Sequence, residues 1–203
     1  MNFSIGSFSL APKKQQSAPF KLSHSEPDAV NQLGATLRNV FNSIPDDRTL
    51  VIVCVGTDRS TGDALGPLVG TKLSKRSALP VFGTLDEPVH AMNMTERLDS
   101  VANMYRNPYI VAIDACLGQL SSVGCIQAAE GPVKPGAGVN KELPPVGDYH
   151  VTGIVNVGGF MEYFVLQNTR LSLVMNMADV ISESICVAAS GGLTASSAQL
   201  LDG

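Results

Sequence analysis

The 203-residue sequence has no apolar run that reaches the roughly 18 residues a membrane-spanning helix needs. Its first residues lack the apolar core of a secretory signal, so the cytoplasm is the expected location and no membrane partner is expected. Fourteen Lys and Arg against eighteen Asp and Glu give a net charge of −4, and the basic residues do not cluster. That distribution argues against a nucleic-acid partner. The four cysteines, Cys54, Cys116, Cys125 and Cys186, show no CxxC spacing. They read as reduced thiols, not as a zinc site or a disulfide frame. No internal repeat occurs, and neither GxxxxGK[ST] nor GxGxxG is present, so the phosphate-loop signatures are missing. Hydrophobic residues make up 44% of the chain and charged residues 16%. Such a chain suits one globular domain with a sizeable core.

What is present is organised around Leu50 to Ser74. The unbroken apolar run from Leu50 to Val55 is rich in β-branched residues and reads as a strand buried on both faces. Gly56 to Gly62 breaks it with glycines and small polar residues, and Leu65, Leu68, Val69 and Leu73 then share one helical face. This strand–loop–helix unit places acids and hydroxyls at the carboxyl end of a strand, where open α/β sheets hold ligands. Asp58 and Asp63 would repel a phosphate, so the loop is not read as an anion cradle. From the local sequence alone, capping the following helix is the commoner role for Thr61 or Asp63.

Along the rest of the chain, residues 1–24 have no clear period and are expected to form a flexible arm. A helix capped by Ser25 follows, with Val30, Leu33, Leu37, Val40, Phe41 and Ile44 inward. Residues 80–85 read as a short strand. Asn93 to Glu96 has capping-box spacing before a helix ending near Arg106. Residues 109–114 form a third buried strand closing on Asp114, which would point into the same crevice as the Asp58/Asp63 loop. Two carboxylates in one cleft share a proton, leaving one as base and one as acid near neutral pH. A cap or an ion pair is an equally good reading of Asp114 alone.

Residues 123–128 read as an edge strand, and the Gly/Pro-rich residues 131–147 as a long loop. That loop delivers His150, which by itself is as readily structural as catalytic. Residues 151–168 are ambiguous, with β-branched content against helical spacing of Ile154, Val157, Phe160, Met161 and Phe164; the spacing tips the reading towards helix. Residues 170–175 read as a strand and residues 178–188 as a final helix. One domain over 25–190 and a loose tail over 191–203 complete the expected organisation. The alternation of elements implies a three-layer α/β/α sandwich with a mostly parallel sheet.

Thr61-Gly62-Asp63-Ala64-Leu65-Gly66-Pro67 resembles the Thr-Pro-Asp-Ala-Leu-Gly-Pro loop of the spore germination protease. Ile110 to Ala115 resembles the strand that carries that enzyme's second aspartate, and Gly136 to Leu143 its Gly-rich segment. Short sporulation proteins related to the protease are the most similar. A more distant likeness is to the hydrogenase-maturation endopeptidases, where Asp63, Asp114 and His150 with Gly153 match an acid–acid–His-x-x-Gly set.

The resemblance implies a hydrogenase-maturation-peptidase-like fold and a sporulation-associated peptidase with Asp63 and Asp114 as its catalytic acids. It also implies Asp58, Thr61 and His150 as binding residues. Small acid-soluble spore proteins, or another spore protein, become the expected partners, and the forespore or spore core the expected location. The maturation enzymes imply a divalent metal held by Asp63, Asp114 and His150, whereas the germination protease implies an acid pair without metal. The alternative is a non-catalytic sporulation protein that keeps the fold and binds a metal ion or a partner protein. Asp58 stands where both families tend to carry Asn, and Gly62 replaces the loop proline.

Overall fold

A computed structural model of the chain describes residues 19–136 and 143–190. One sheet of six strands, in the order β1-β5-β6-β4-β2-β3, forms its middle layer. The strands are β1 Phe20–Ser23, β2 Thr49–Cys54, β3 Val81–Phe82, β4 Pro108–Gly118, β5 Cys125–Glu130 and β6 Tyr149–Val157. β2 pairs in parallel with β3 and β4, and β4 with β6, whereas β5 is antiparallel to both β6 and β1. Only β5 therefore runs against the rest. The helices are α1 Ala29–Asn42, α2 Leu65–Arg76, α3 Met94–Met104, α4 Glu162–Gln167 and α5 Leu171–Ser190.

The strand sequences divide their side chains between two cores. Ile52 and Cys54 of β2, with Val111 and Ile113 of β4, pack among Leu33 and Leu37 of α1, Leu65 and Val69 of α2 and Met177 and Ile181 of α5. Val51, Val53 and Ala112 point the other way and meet Met94 and Val101 of α3. Alternate residues of apolar strands thus feed opposite faces, as burial on both sides requires. This is the expected three-layer α/β/α sandwich.

Several elements depart from the expectation. Phe20 to Ser23, within the arm expected to be flexible over 1–24, form β1 and pair with Cys125 to Ala128. β5 is therefore covered on both sides and is not an edge strand. Residues 1–18 and the expected tail over 191–203 lie outside the described residues, as do residues 137–142 of the Gly-rich segment. Ser25 does not cap α1, which starts after Asp28.

Residues 149–157 are strand, not helix. A Cβ on Gly153 would overlap the end of the Leu65 side chain and crowd that of Met177, so at this point β6 passes close under α2 and α5. The helical spacing joins residues of different elements: Ile154 and Val157 lie in β6, Phe160 and Met161 in the turn after it, and of the five Phe164 alone lies in α4. Of residues 170–175, which read as a strand, Leu171 to Met175 are instead the first turns of the 20-residue α5. Among the described residues α5 alone is long and apolar enough to cross a membrane by length and composition. Val174, Met177, Ala178, Ile181 and Ile185 are nevertheless fully buried against the sheet.

Candidate functional site: an acid pair at the switch point of the sheet

From β2 the chain crosses through α2 to β3 on one side, and from β3 it returns through α3 to β4 on the other. The crevice between the carboxyl ends of β2 and β4 is thus the switch point of the sheet, the usual ligand position in this architecture. β2 stops at Cys54 opposite Ile113, while β4 continues beside β6 to Gly118. Asp114 is accordingly the first residue of β4 without a β2 partner. It lies within the strand and does not close it, and the crevice opens because β2 ends first.

The loop after β2 is shaped by one glycine. Gly56 adopts φ +146°, and a Cβ there would collide with the Asp63 carbonyl oxygen and the Pro67 ring. Without that Cβ the loop folds back, and Thr57 N–H donates to the Asp63 carbonyl at 3.2 Å. Gly56→Ala should therefore cost about 3 kcal/mol, since both the φ value and the backbone contact oppose a side chain. A fall in Tm of roughly 6–12 °C is expected for a chain of this size. A melting curve within about 2 °C of the wild type, the shift expected from well under 1 kcal/mol, would show that the loop does not need this glycine.

Gly62 donates its N–H to the Leu166 carbonyl at 2.9 Å. Proline has no such donor, so the bond that ties this acid loop to α4 needs a residue other than proline at position 62. Neither Thr61 nor Asp63 caps α2, whose N-cap residue is Ala64 with no side-chain cap. The capping reading of both residues is thereby removed.

Asp63 and Asp114 line one cleft of about 280 Å³, together with Thr57, Arg59, Ser60, His90, Met92 and Tyr163 among others. Asp114 is 9% exposed, and its Oδ1 accepts the Ala115 N–H at 2.8 Å. Burial pushes its carboxyl up to about 8; the Ala115 bond works against that rise and the charge of Asp63 adds to it. The Asp63 carboxyl is also raised, chiefly by burial, with the nearby Ser60 hydroxyl opposing. That opposition is weak, because Ser60 Oγ is buried without a well-formed hydrogen bond to any group. Two acids with unequal burial in one cleft can hold one proton and one charge near neutral pH.

The remaining expected site residues fall elsewhere. Asp58 is exposed and outside the cleft lining, accepting at most a 3.4 Å bond from the Thr57 hydroxyl. Thr61 is half-buried and does not line the cleft either. His150 pairs with Ala112 while Thr152 pairs with Asp114. It therefore sits on the same sheet face as Asp114 but two residues back, about 7 Å towards the strand start. Its Nδ1 is engaged with the Gly131 carbonyl at 2.8 Å. Among the described residues no three His, Cys, Asp or Glu side chains converge as a metal site would require. The donor set expected for a divalent metal thus lacks its third member.

His90 is a cleft residue for which the sequence holds no motif. Val89 pairs briefly with Val55 in parallel, and the Asn93 side chain accepts from His90 N–H and donates to the Pro88 carbonyl. The Asn93–Glu96 spacing, which reads as a capping box, instead marks this clamp, and α3 has no side-chain cap. His90 Nδ1 accepts the Met92 N–H at 3.2 Å. A neutral His90 therefore carries its proton on Nε2.

The molecule is a three-layer α/β/α protein with an acid-lined cleft at the switch point of its sheet. It belongs to the family described as protein of unknown function (DUF1256), whose model matches residues 21–184. It is 50% identical over 187 residues to the uncharacterized protein YyaC of Bacillus subtilis (strain 168), covering 91% of this chain and 89% of that one. Among solved structures, the NiFe hydrogenase maturation protease HycI from Thermococcus kodakarensis KOD1 is similar over 74% of this chain and 98% of its own, at 16% identity and a TM-score of 0.45.

Proposed function

We propose that the cleft is a peptidase site in which Asp63 and Asp114 act as an acid pair on a protein substrate. One observation carries the reading: a nearly buried carboxyl, held up to about 8, lies in the same cleft as a second acid. At neutral pH Asp114 keeps its proton while Asp63, the less buried of the two, gives up its own first. Asp63 then accepts a proton from water as the water oxygen bonds to the peptide carbon. Asp114 donates its proton to the leaving nitrogen as the C–N bond breaks, and transfer of the proton from Asp63 to Asp114 resets the pair. Water is consumed, one acid and one amine are released, and no other reactant is needed.

The likeness of the Asp63 and Asp114 motifs to the spore germination protease names the substrates to try. Wild-type protein incubated with purified small acid-soluble spore proteins is expected to produce a few defined fragments, read by mass spectrometry. Intact substrates after prolonged incubation would count against the peptidase and leave the second reading, a sporulation-associated binding protein. The apolar part of the lining, including Val55, Met92, Met94, Leu143 and Tyr163, suits that second reading, since it offers contact area without chemistry.

A further inference from the structure

The turn into α4 and the first residues of that helix form a ridge between two concavities. Tyr163 lines the acid cleft. Its neighbour Phe164, with Phe160, lines a second depression of about 380 Å³ formed with Asn156, Val157, Gly158, Val165 and Asn168. Consecutive helical residues point about 100° apart, so one short helix addresses both hollows. The ridge is apolar and uncovered: Phe160 is 83% exposed, Met161 61%, Tyr163 58% and Phe164 55%. Four large apolar side chains in five positions form the kind of patch that soluble surfaces rarely leave without a partner.

The rest of α4 is fastened down. Leu166 is buried and its carbonyl receives the Gly62 N–H at 2.9 Å. Asn156 Nδ2 donates to the Val165 carbonyl and to Thr169 Oγ1. At the other end Met161 holds a left-handed backbone at φ 51°, which a residue with a Cβ adopts at a cost of about 1–2 kcal/mol. A fixed base, a strained turn and outward aromatics make this a presented surface, not a frayed end. It is also continuous with the cleft through Tyr163, and the Glu162 carboxylate is turned aside to the Gly159 N–H.

We propose that residues 160–164 dock an extended polypeptide segment bearing neighbouring apolar side chains, one seated in the Phe160/Phe164 depression while the adjoining backbone crosses Tyr163 into the acid cleft. The inference rests on the peptidase reading only for the use made of the cleft. It assigns the substrate class: uncharged, apolar stretches of an unfolded or flexible chain.

Binding is measured in an Asp63→Asn background, which prevents turnover. The probes are two fluorescein-labelled ten-residue Gly/Ser peptides, one with a central Leu-Phe pair and one with Ser-Ser in its place. The Leu-Phe peptide is expected to bind at least tenfold more tightly. Adding Phe160→Ser and Phe164→Ser should erase that difference while the Tm stays unchanged, because both side chains are mostly in water. Equal affinity for the two peptides, or a preference that survives the double substitution, overturns the proposal. So does a dimer, seen by sedimentation, that the double substitution dissolves, since the patch would then be an interface between two copies. Selective binding without cleavage by the wild type would defeat the peptidase reading and retain the docking surface. Cleavage of an apolar substrate that ignores the double substitution would do the reverse.

Discussion

Asp63→Asn should lower the rate of peptide cleavage by about 10³-fold or more, while Tm moves by no more than a few degrees. The size of the loss follows from the role: a positioned base contributes about 10²–10⁴-fold, and an amide cannot take up the proton of the attacking water. The small stability change follows from the structure. Asp63 makes no side-chain cap to α2, so Asn gives up no capping bond. Its carboxylate is already disfavoured by burial, so a neutral isostere relieves a small penalty at neutral pH. The loop path depends on the Asp63 carbonyl, which receives the Thr57 N–H, and the substitution leaves that group in place. Rates and melting curves on the same preparations check both halves. Cleavage at the wild-type rate would remove Asp63 from the chemistry, and a fall of about ten degrees or more would make it a structural residue after all.

The position of this acid is legible in the sequence because two signals agree there. An apolar β-branched run announces a central strand, and the glycine-bounded polar loop after it announces a ligand-facing end. Asp114 is legible for the same reason, although the strand does not stop at it. Polar residues end strands only where no neighbour continues the ladder, and β6 continues it to Gly118.

The departures share one physical cause, which is that short-range patterns do not report tertiary partners. β1 is invisible in the sequence because four residues of mixed polarity become a strand only when β5 lies beside them. β6 reads as helix because Ile154 and Val157 share spacing with Phe160, Met161 and Phe164, and nothing in the sequence shows that Leu65 and Met177 pack close over Gly153. The first turns of α5 look like a strand because leucine, valine and methionine suit either state, and packing against α1 and α2 decides. The His-x-x-Gly setting of His150 points to the cleft, yet the register of β6 holds it two residues short. His90 carries no signal of its own; the nearest is Asn93, whose side chain closes the Pro88–His90 turn.

Asp114→Asn should make the protein more resistant to unfolding as pH rises, relative to the wild type. An unfolded aspartate titrates near 3.9, whereas Asp114 in the fold titrates at about 8. Below about pH 4 the carboxyl is protonated in both states and costs nothing. Between the two values the folded state holds a proton that the unfolded state has released, so rising pH favours unfolding by up to about 1.4 kcal/mol per unit. Above about 8 both states are ionised and the full penalty persists. The substituted amide never ionises, and its oxygen can still accept the Ala115 N–H that now reaches Asp114 Oδ1 at 2.8 Å. The stability gap between variant and wild type should therefore be smallest near pH 4, widen through neutrality and level off beyond pH 8. Urea unfolding of both proteins at pH 5, 7 and 9 measures it, and taking the difference cancels the titration of carboxylates that do not interact with Asp114, leaving Asp114 and its coupling to Asp63. Under the proposed peptidase mechanism the same proton is the one given to the leaving nitrogen, so wild-type cleavage should decline above about pH 8 while the variant stays inactive throughout. Parallel stability curves from pH 5 to 9 would mean that Asp114 ionises freely in the fold, and a group that ionises freely at neutral pH could not serve as the acid of the pair.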